Sequence, residues 1–411
     1  MKTSTMLKLL VLVLGIAMSL GCNKEDALED PDNDFVPISL TTRQDACKTA
    51  MTGFAFSLLE QIDDRSANKS YFFSPMSAEF VLGMIASGTT GDSVEQILNA
   101  LGTEDLESLN TYAKTMLGAL PSIDKRSNIG LANLSLYDKA VSLNKDYSNK
   151  INNYYGALAK SMDFNSKNTT KYVNKWASDN TKGTINNLVD DGDLIGQKFF
   201  LANALYFKGN WSVPFETTKK DMFHLIGGKD IQVQMMETAK PHDCRLYDRL
   251  SVLFSTYGNG AYCMSVFLPD QGYTLSDVMP DIADIWENRL TPSETGMTKI
   301  VRMPTFKYSY ELYLNDILQS MGITGIFKNG SDFSPMTSYK PIYVSYMKQK
   351  SIIEVNEKGT EAAAVTFTGM TMANSEPIKT ISEFIADRPF LFIISERSTN
   401  SILFMGKYTG E

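Results

Sequence analysis

The residues able to do chemistry are few and poorly spaced for it. The 411-residue chain has two histidines, His224 and His242, and four cysteines, Cys22, Cys47, Cys244 and Cys263. A hydrolytic triad needs an imidazole held between a nucleophile and a carboxylate, and a zinc site wants several imidazole or thiolate ligands at short spacing. No Cys-x-x-Cys, His-Glu-x-x-His, Gly-x-Ser-x-Gly or Gly-x-x-x-x-Gly-Lys occurs. Redox, zincin, esterase and phosphate-loop chemistry therefore lack their signatures. His224 sits in the alternating stretch Met222-Phe223-His224-Leu225, where a strand histidine is expected to be structural. The cysteines beyond Cys22 can form one disulfide at most and read as isolated buried thiols. No carboxylate pair stands out either. We expect no enzyme, no metal and no cofactor.

A different chemistry is written downstream of Gly359. Between the strand-like stretch 351–356 and Phe390 lies a connection far longer than compact domains ordinarily use, which marks it as functional or disordered. Residues 358–374 contain no proline and are mostly small or β-compatible. Strand alternation would put Thr360, Ala362, Ala364, Thr366, Thr368, Met370 and Met372 on one face, without a charge. Glu361, Ala363, Val365, Phe367, Gly369 and Thr371 would form the other, where Glu361 can stay wet. This segment could become a central strand, although its position makes it a loop.

The elements that must position such a loop read as follows. Residues 77–87 and 92–101 show apolar spacing of helical period, and 169–181 continues it with Trp176 on the apolar face. The second half turns to strands at 199–207, 264–268, 299–308, 342–355, 390–395 and 402–407, punctuated by Pro and Gly. Helices followed by many strands predict an α+β domain built on large antiparallel sheets.

The amino terminus is an address. Lys2 and Lys8 precede an apolar run at 9–20 that is short for a membrane span, so residues 1–21 read as a cleavable signal peptide. Gly21-Cys22 resembles a bacterial lipoprotein cleavage site with Cys22 as the lipidated residue, although Ser19-Leu20 departs from the usual pattern; the alternative is a plain secretory signal. Residues 22–42 follow as an acidic, flexible tether. Lys24-Glu25-Asp26 resembles the signal that sends lipoproteins outward in some Gram-negative bacteria, or is simply a solvated linker. The expected location is the cell envelope, anchored at the outer membrane, with both outward and inward orientation left open. No linker or repeat divides the remainder, so 43–411 is expected to be one domain and a monomer. A net charge of −8 without a basic cluster argues against nucleic acid and against a polyanionic cofactor.

Six stretches, in order, resemble the serpin family from about Cys47 to the C-terminus. They are Phe72-Phe73-Ser74-Pro75-Met76-Ser77 with Gly91-Asp92-Ser93-Val94-Glu95-Gln96; Asn203-Ala204-Leu205-Tyr206-Phe207-Lys208-Gly209-Asn210-Trp211; Gly322-Ile323-Thr324 with Asp332-Phe333-Ser334; Glu357-Lys358-Gly359-Thr360-Glu361-Ala362-Ala363-Ala364; Arg388-Pro389-Phe390; and Ile402-Leu403-Phe404-Met405-Gly406-Lys407.

The resemblance implies helices packed around three β-sheets with an exposed reactive-centre loop, here about 358–385. It also implies an inhibitor that traps serine-type proteases by suicide cleavage and insertion of the cut loop from Thr360 onward. By the family's hinge length the bait bond is Ala373-Asn374, which suits elastase-like or subtilisin-like proteases. Met372 is the next candidate and suits chymotrypsin-like enzymes; Lys379, attractive to trypsin-like ones, ranks third. Cysteine proteases are further candidate partners. Glu357 is implied to pair at the top of the main sheet, where Trp211 packs. Ser74, Ser77 and Asn203 match the cluster that controls parting of the central strands, and Gln349 stands where the family commonly has histidine. The alternatives are a non-inhibitory serpin acting as carrier or chaperone and, less favoured, an unrelated surface enzyme.

Overall fold

The computed structural model describes residues 33–103, 105–345, 347–359 and 379–410. The signal peptide, Cys22, and the loop candidates from Thr360 through Ala362, Ala363 and Ala364 to Met372, Ala373 and Asn374 lie outside the described residues.

Helices dominate the first half, as the periodicity predicts. α1 (Thr42–Arg65) opens with a capping box in which Thr41 and Gln44 satisfy each other's backbone donors. A three-residue strand, β1 (Tyr71–Phe73), leads into α2 (Pro75–Ala86), whose every residue is buried. A helix apolar on almost every side must lie in the middle of the molecule, and α2, polar only at Ser77 and Glu79, does. α3 (Asp92–Ala100), α4 (Leu106–Ala119), α5 (Lys145–Tyr155) and α6 (Lys167–Asn180) follow.

Two strands of the first half escape the periodicity. β2 (Ser127–Asp138) and β3 (Leu158–Met162) form a three-stranded sheet with β4 (Phe199–Gly209). β2 carries Asn128, Asn133 and several small residues, so its alternation is weak. A ten-stranded sheet takes most of the rest. It uses β5 (Thr217–His224), β6 (Asp230–Thr238), β7 (Asp243–Leu246), β8 (Leu250–Tyr257), β9 (Tyr262–Pro269), β10 (Glu294–Pro304), β13 (Lys379–Ile385), β14 (Phe390–Glu396) and β15 (Ser401–Tyr408), with β1 at one edge. α7 (Leu275–Trp286) joins β9 to β10. The third sheet pairs β11 (Phe306–Tyr313) with β12 (Lys348–Val355); the short α8 (Asn315–Ser320) follows β11.

These three sheets and their helices bear out the α+β class, with corrections in detail. The pairs β2–β3 and β10–β13 are parallel, so the sheets are not wholly antiparallel. The stretch 299–308 is not one strand: it breaks at Thr305, and its halves β10 and β11 belong to different sheets. Regular pairing in 342–355 begins only at Lys348. Residues 379–385, placed in the loop by their sequence context, are a strand paired with β10.

The tether also ends earlier than residue 42. Asn33 is buried, and Phe35, Ile38 and Leu40 pack against the main core. Three apolar residues within six positions are enough to dock a segment whose composition reads as solvated.

Candidate functional site

The site is a seam between β4 and β12. Their carboxyl-terminal ends meet: the Trp211 indole Nε1 donates to the Asn356 carbonyl at 2.9 Å, and the Trp211 amide donates to the Lys358 carbonyl at 3.1 Å. Their amino-terminal sides also meet, because Lys350 Nζ donates to the Asn187 carbonyl at 2.7 Å and Lys348 lies 4.0 Å from Asp193, both in the connection that leads from α6 into β4. The two strands therefore run side by side in the same direction. Among the described residues, no ladder joins them: β2–β3–β4 and β11–β12 are separate sheets.

The upper end is a tight docking. After β12 the chain turns, with Asn356 and Gly359 exchanging backbone hydrogen bonds at 3.1 Å each way, and Gly359 bridges to Asn210. Gly359 has φ +108°, and a Cβ there would stand 2.4 Å from the Gly209 carbonyl oxygen. Both the conformation and the close approach require glycine. The Trp211 ring stacks on Tyr257 at 4.3 Å and meets Phe215 edge-on, while the Phe215 amide donates to the Glu357 carbonyl at 2.9 Å. Glu357 thus acts at this position through its main chain. Lys358 follows as a surface residue whose amide donates to Asn356 Oδ1.

Lower down, the seam is spanned by side chains. Gln349 is buried and bonds Ser74 twice: its Oε1 accepts from the Ser74 amide at 2.8 Å, and its Nε2 donates to the Ser74 carbonyl at 2.9 Å. Ser74 caps α2 by accepting from the Ser77 amide at 3.0 Å. The Ser77 hydroxyl donates to Asn203 Oδ1 at 2.6 Å. β12 and β4 are thereby linked through the start of α2 instead of through their own backbones.

The four cluster residues Ser74, Ser77, Asn203 and Gln349 are brought together. The chain of bonds runs further than the sequence suggests. Asn203 Nδ2 donates to Asn133 Oδ1 at 2.8 Å, Asn133 Nδ2 to the Tyr155 carbonyl at 2.7 Å, and the Tyr155 hydroxyl to Asn110 Oδ1 at 2.7 Å. Asn133 lies on β2, which has no clear period, so no pattern flagged it. A buried asparagine in a central strand is the one signal that could have done so.

α6 covers the outer face of the β2–β4 half in a second, smaller core of Leu134, Leu136, Val173, Ala177, Phe200 and Ala202, with Ile352 of β12 packed at its edge. Lys379 pairs with Gly296 at the first position of β13, so the backbone around it is already held in a sheet.

The candidate chemical residues are used otherwise. His224 is exposed and bonds Asp230 through Nδ1 at 2.8 Å, which raises its pKa. His242 is buried against the Lys240 carbonyl, and burial lowers its pKa. Cys47, Cys244 and Cys263 are free and buried, and burial pushes their thiols up to about 11, 12 and 12. Thiols so far above neutrality are poor nucleophiles.

Comparison with known proteins decides the family. Residues 49–410 match the model of the family described as Serpin (serine protease inhibitor). The chain belongs to the serpin family. It is 34% identical to Serpin-Z10 of Arabidopsis thaliana, covering 82% of this serpin and 90% of that one. The thermophilic serpin tengpin in its native state superposes with a TM-score of 0.79 at 25% identity, covering 94% of this chain and 99% of that one. Thyroxine-binding globulin in complex with thyroxine gives 0.77 at 25% identity, covering 88% and 99%. Serpins are in general protease inhibitors, cut as suicide substrates, and are not enzymes.

Proposed function

We propose that this serpin inactivates serine-type proteases by inserting its cut loop into the seam between β4 and β12. The observation that carries this reading is the geometry of that seam. The two strands are parallel, they share no ladder among the described residues, and the chain leaves β12 at Gly359 directly beside the end of β4. A segment that turns back there runs antiparallel to both neighbours at once, so it can pair on both of its edges.

The energetics favour insertion. About fourteen residues could gain roughly ten or more backbone hydrogen bonds at ~0.5–1.5 kcal/mol net each, and the uncharged face from Thr360 to Met372 adds apolar burial. The sum is comparable to the ~5–15 kcal/mol that holds a protease domain together. At roughly 3.3 Å per residue, about fourteen residues span on the order of 46 Å, so an attached protease is carried from one end of the sheet to the other.

The chemical step belongs to the protease. Its serine oxygen attacks the Ala373 carbonyl carbon, the bond to the Asn374 nitrogen breaks, and that nitrogen leaves as an amine with a proton from the protease histidine. The loop is then severed but still joined to the enzyme as an ester. Insertion outpaces hydrolysis of that ester, and the deformed protease cannot complete its cycle. Elastase-like and subtilisin-like enzymes suit Ala373, and Met372 extends the range to chymotrypsin-like ones. Lys379 is disfavoured because its backbone already belongs to β13. The location proposed is the cell envelope, with export by residues 1–21 and anchoring through lipidated Cys22.

Incubation with elastase or subtilisin tests the reading. The expected product is a covalent complex that survives SDS; cleavage without a complex opposes it. One observation favours a second reading, that of a carrier. A cavity of about 810 Å³ lies between the ten-stranded sheet and α7, lined by Trp286, Phe254, Arg245 and Arg397 among others, and this serpin is similar to a thyroxine-binding protein. The hinge lacks the bulky, charged or proline residues on its inward face that carriers often have, so inhibition stands first.

A further inference from the structure

We infer that residues 33–40, ahead of the first helix, form a strap that holds the upper end of the seam shut and slows insertion. The inference rests on the insertion reading above. Its centre is Asp124, a buried carboxylate in the turn before β2.

Asp124 joins three parts of the molecule. Its Oδ2 accepts from Ser127 Oγ at 2.5 Å and its Oδ1 from the Arg126 amide at 3.0 Å, which fixes the start of β2. Its Oδ1 also receives the Asn259 amide at 3.4 Å, from the turn between β8 and β9. From the amino-terminal side, Asn33 Nδ2 donates to Oδ1 at 3.0 Å, and Asn33 Oδ1 accepts the Lys125 amide at 2.7 Å. Asn33 therefore clamps this turn with both ends of its amide. Further along the strap, the Ile38 amide donates to Ser398 Oγ at 2.9 Å, and Phe35, Ile38 and Leu40 pack on the core.

The neighbours of Asp124 are the residues that hold the mouth of the seam. Ser127 pairs with Gly209, the last residue of β4. In the same β8–β9 turn, the Gly258 amide donates to the Asn210 carbonyl at 2.8 Å and the Gly258 carbonyl accepts from Ser212 Oγ at 3.0 Å. Asn210 in turn bridges Gly359. A new strand between β4 and β12 must separate them by about one further strand spacing, roughly 4.8 Å. The start of β2, paired to β4, must move with it, whereas the β8–β9 turn belongs to the ten-stranded sheet. The contacts around Asp124 and Gly258 cross that boundary, so opening has to break or stretch them. Asn33 braces the crossing point from outside, and this brace belongs to the uninserted form.

The test compares Asn33→Ala with the unmodified protein by amide hydrogen exchange, and by thermal unfolding of intact and loop-cut material. Loss of a buried clamp of this kind should speed exchange by about tenfold at 120–130, 207–215 and 355–359, with 390–395 and 402–408 unchanged. The melting midpoint should fall for the intact form and stay the same for the cut form. Asn33→Asp sets a second carboxylate against Asp124 and should produce a larger change of the same sign. If Asn33→Ala folds poorly, Ser398→Ala removes the other strap bond and should give a smaller effect of the same pattern. Equal exchange at the seam, or an equal loss of midpoint in intact and cut forms, overturns the strap. Failure of the unmodified protein to gain heat resistance on cutting would instead overturn the insertion reading, and the exchange result would still decide the strap.

Discussion

β14 and β15 pair from end to end with one register shift between Ile394 and Ser395, and every residue of both is buried. β4 and β12 lie side by side with no ladder between them among the described residues and are bridged by Ser74, Ser77, Asn203 and Gln349. Phe72 stacks on Phe404 at 4.8 Å inside the first region, and such packing has one good solution. The second region is held by a few side-chain hydrogen bonds that a new strand could replace with two ladders. A stable body and a seam held back from its best pairing are therefore joined in one chain, and stability measured on one says little about the other.

Charging the hinge should break this contrast most sharply. Thr360→Arg puts a cation on the face that must be buried, at a cost of several kcal/mol, and should lower covalent trapping about a hundredfold or more while leaving cleavage intact. Gel analysis of protease mixtures reads both outcomes. Phe404→Ala is the complementary change in the body. Loss of a buried ring should cost about 3–5 kcal/mol, and denaturant titration should find that loss in both intact and cut forms.

A buried acid offers a milder test. Glu79 in α2 shares a small cavity with Lys48, Thr52, Tyr112 and Ser401, and burial raises its pKa to about 8. The folded protein then holds a proton that the unfolded chain has already released. This contribution to stability is complete below the unfolded value near 4.5, and is lost as pH rises through about 8. Glu79→Gln should remove a few kcal/mol of that slope in a stability profile from pH 4 to 9. Because the Glu79 cavity is walled by α1, α4 and β15 and not by the seam, intact and cut forms should respond alike.

The smallest effect is expected at Gln349. An amide can accept from the Ser74 amide and donate to the Ser74 carbonyl at any pH. Gln349→His would lose its acceptor on protonation, so its stability should fall by about 1 kcal/mol between pH 8 and 5, in the intact form more than in the cut one. An unchanged profile would mean that the seam tolerates the loss.

The legibility of these regions in the sequence follows the same division. Runs such as Phe390-Leu391-Phe392-Ile393-Ile394 are buried on both faces and read directly as central strands. α2 and α3 were equally plain from their period. The seam was legible only through motif resemblance, because polar contacts between distant segments leave no period. Asn133, Tyr155 and Asn356 are bound into it by geometry alone. The tether and loop boundaries shifted for a related reason. Phe35, Ile38 and Leu40 dock through sparse contacts, and β13 needs β10 as a partner to become a strand.

The central claim, that the seam can accept the loop as a new strand, is tested most directly by melting the intact protein beside the same protein cut once in its loop. If the added strand contributes on the order of 10 kcal/mol, the cut form should melt on the order of 10 °C or more above the intact one. A cut form that melts at or below the intact midpoint would contradict the account.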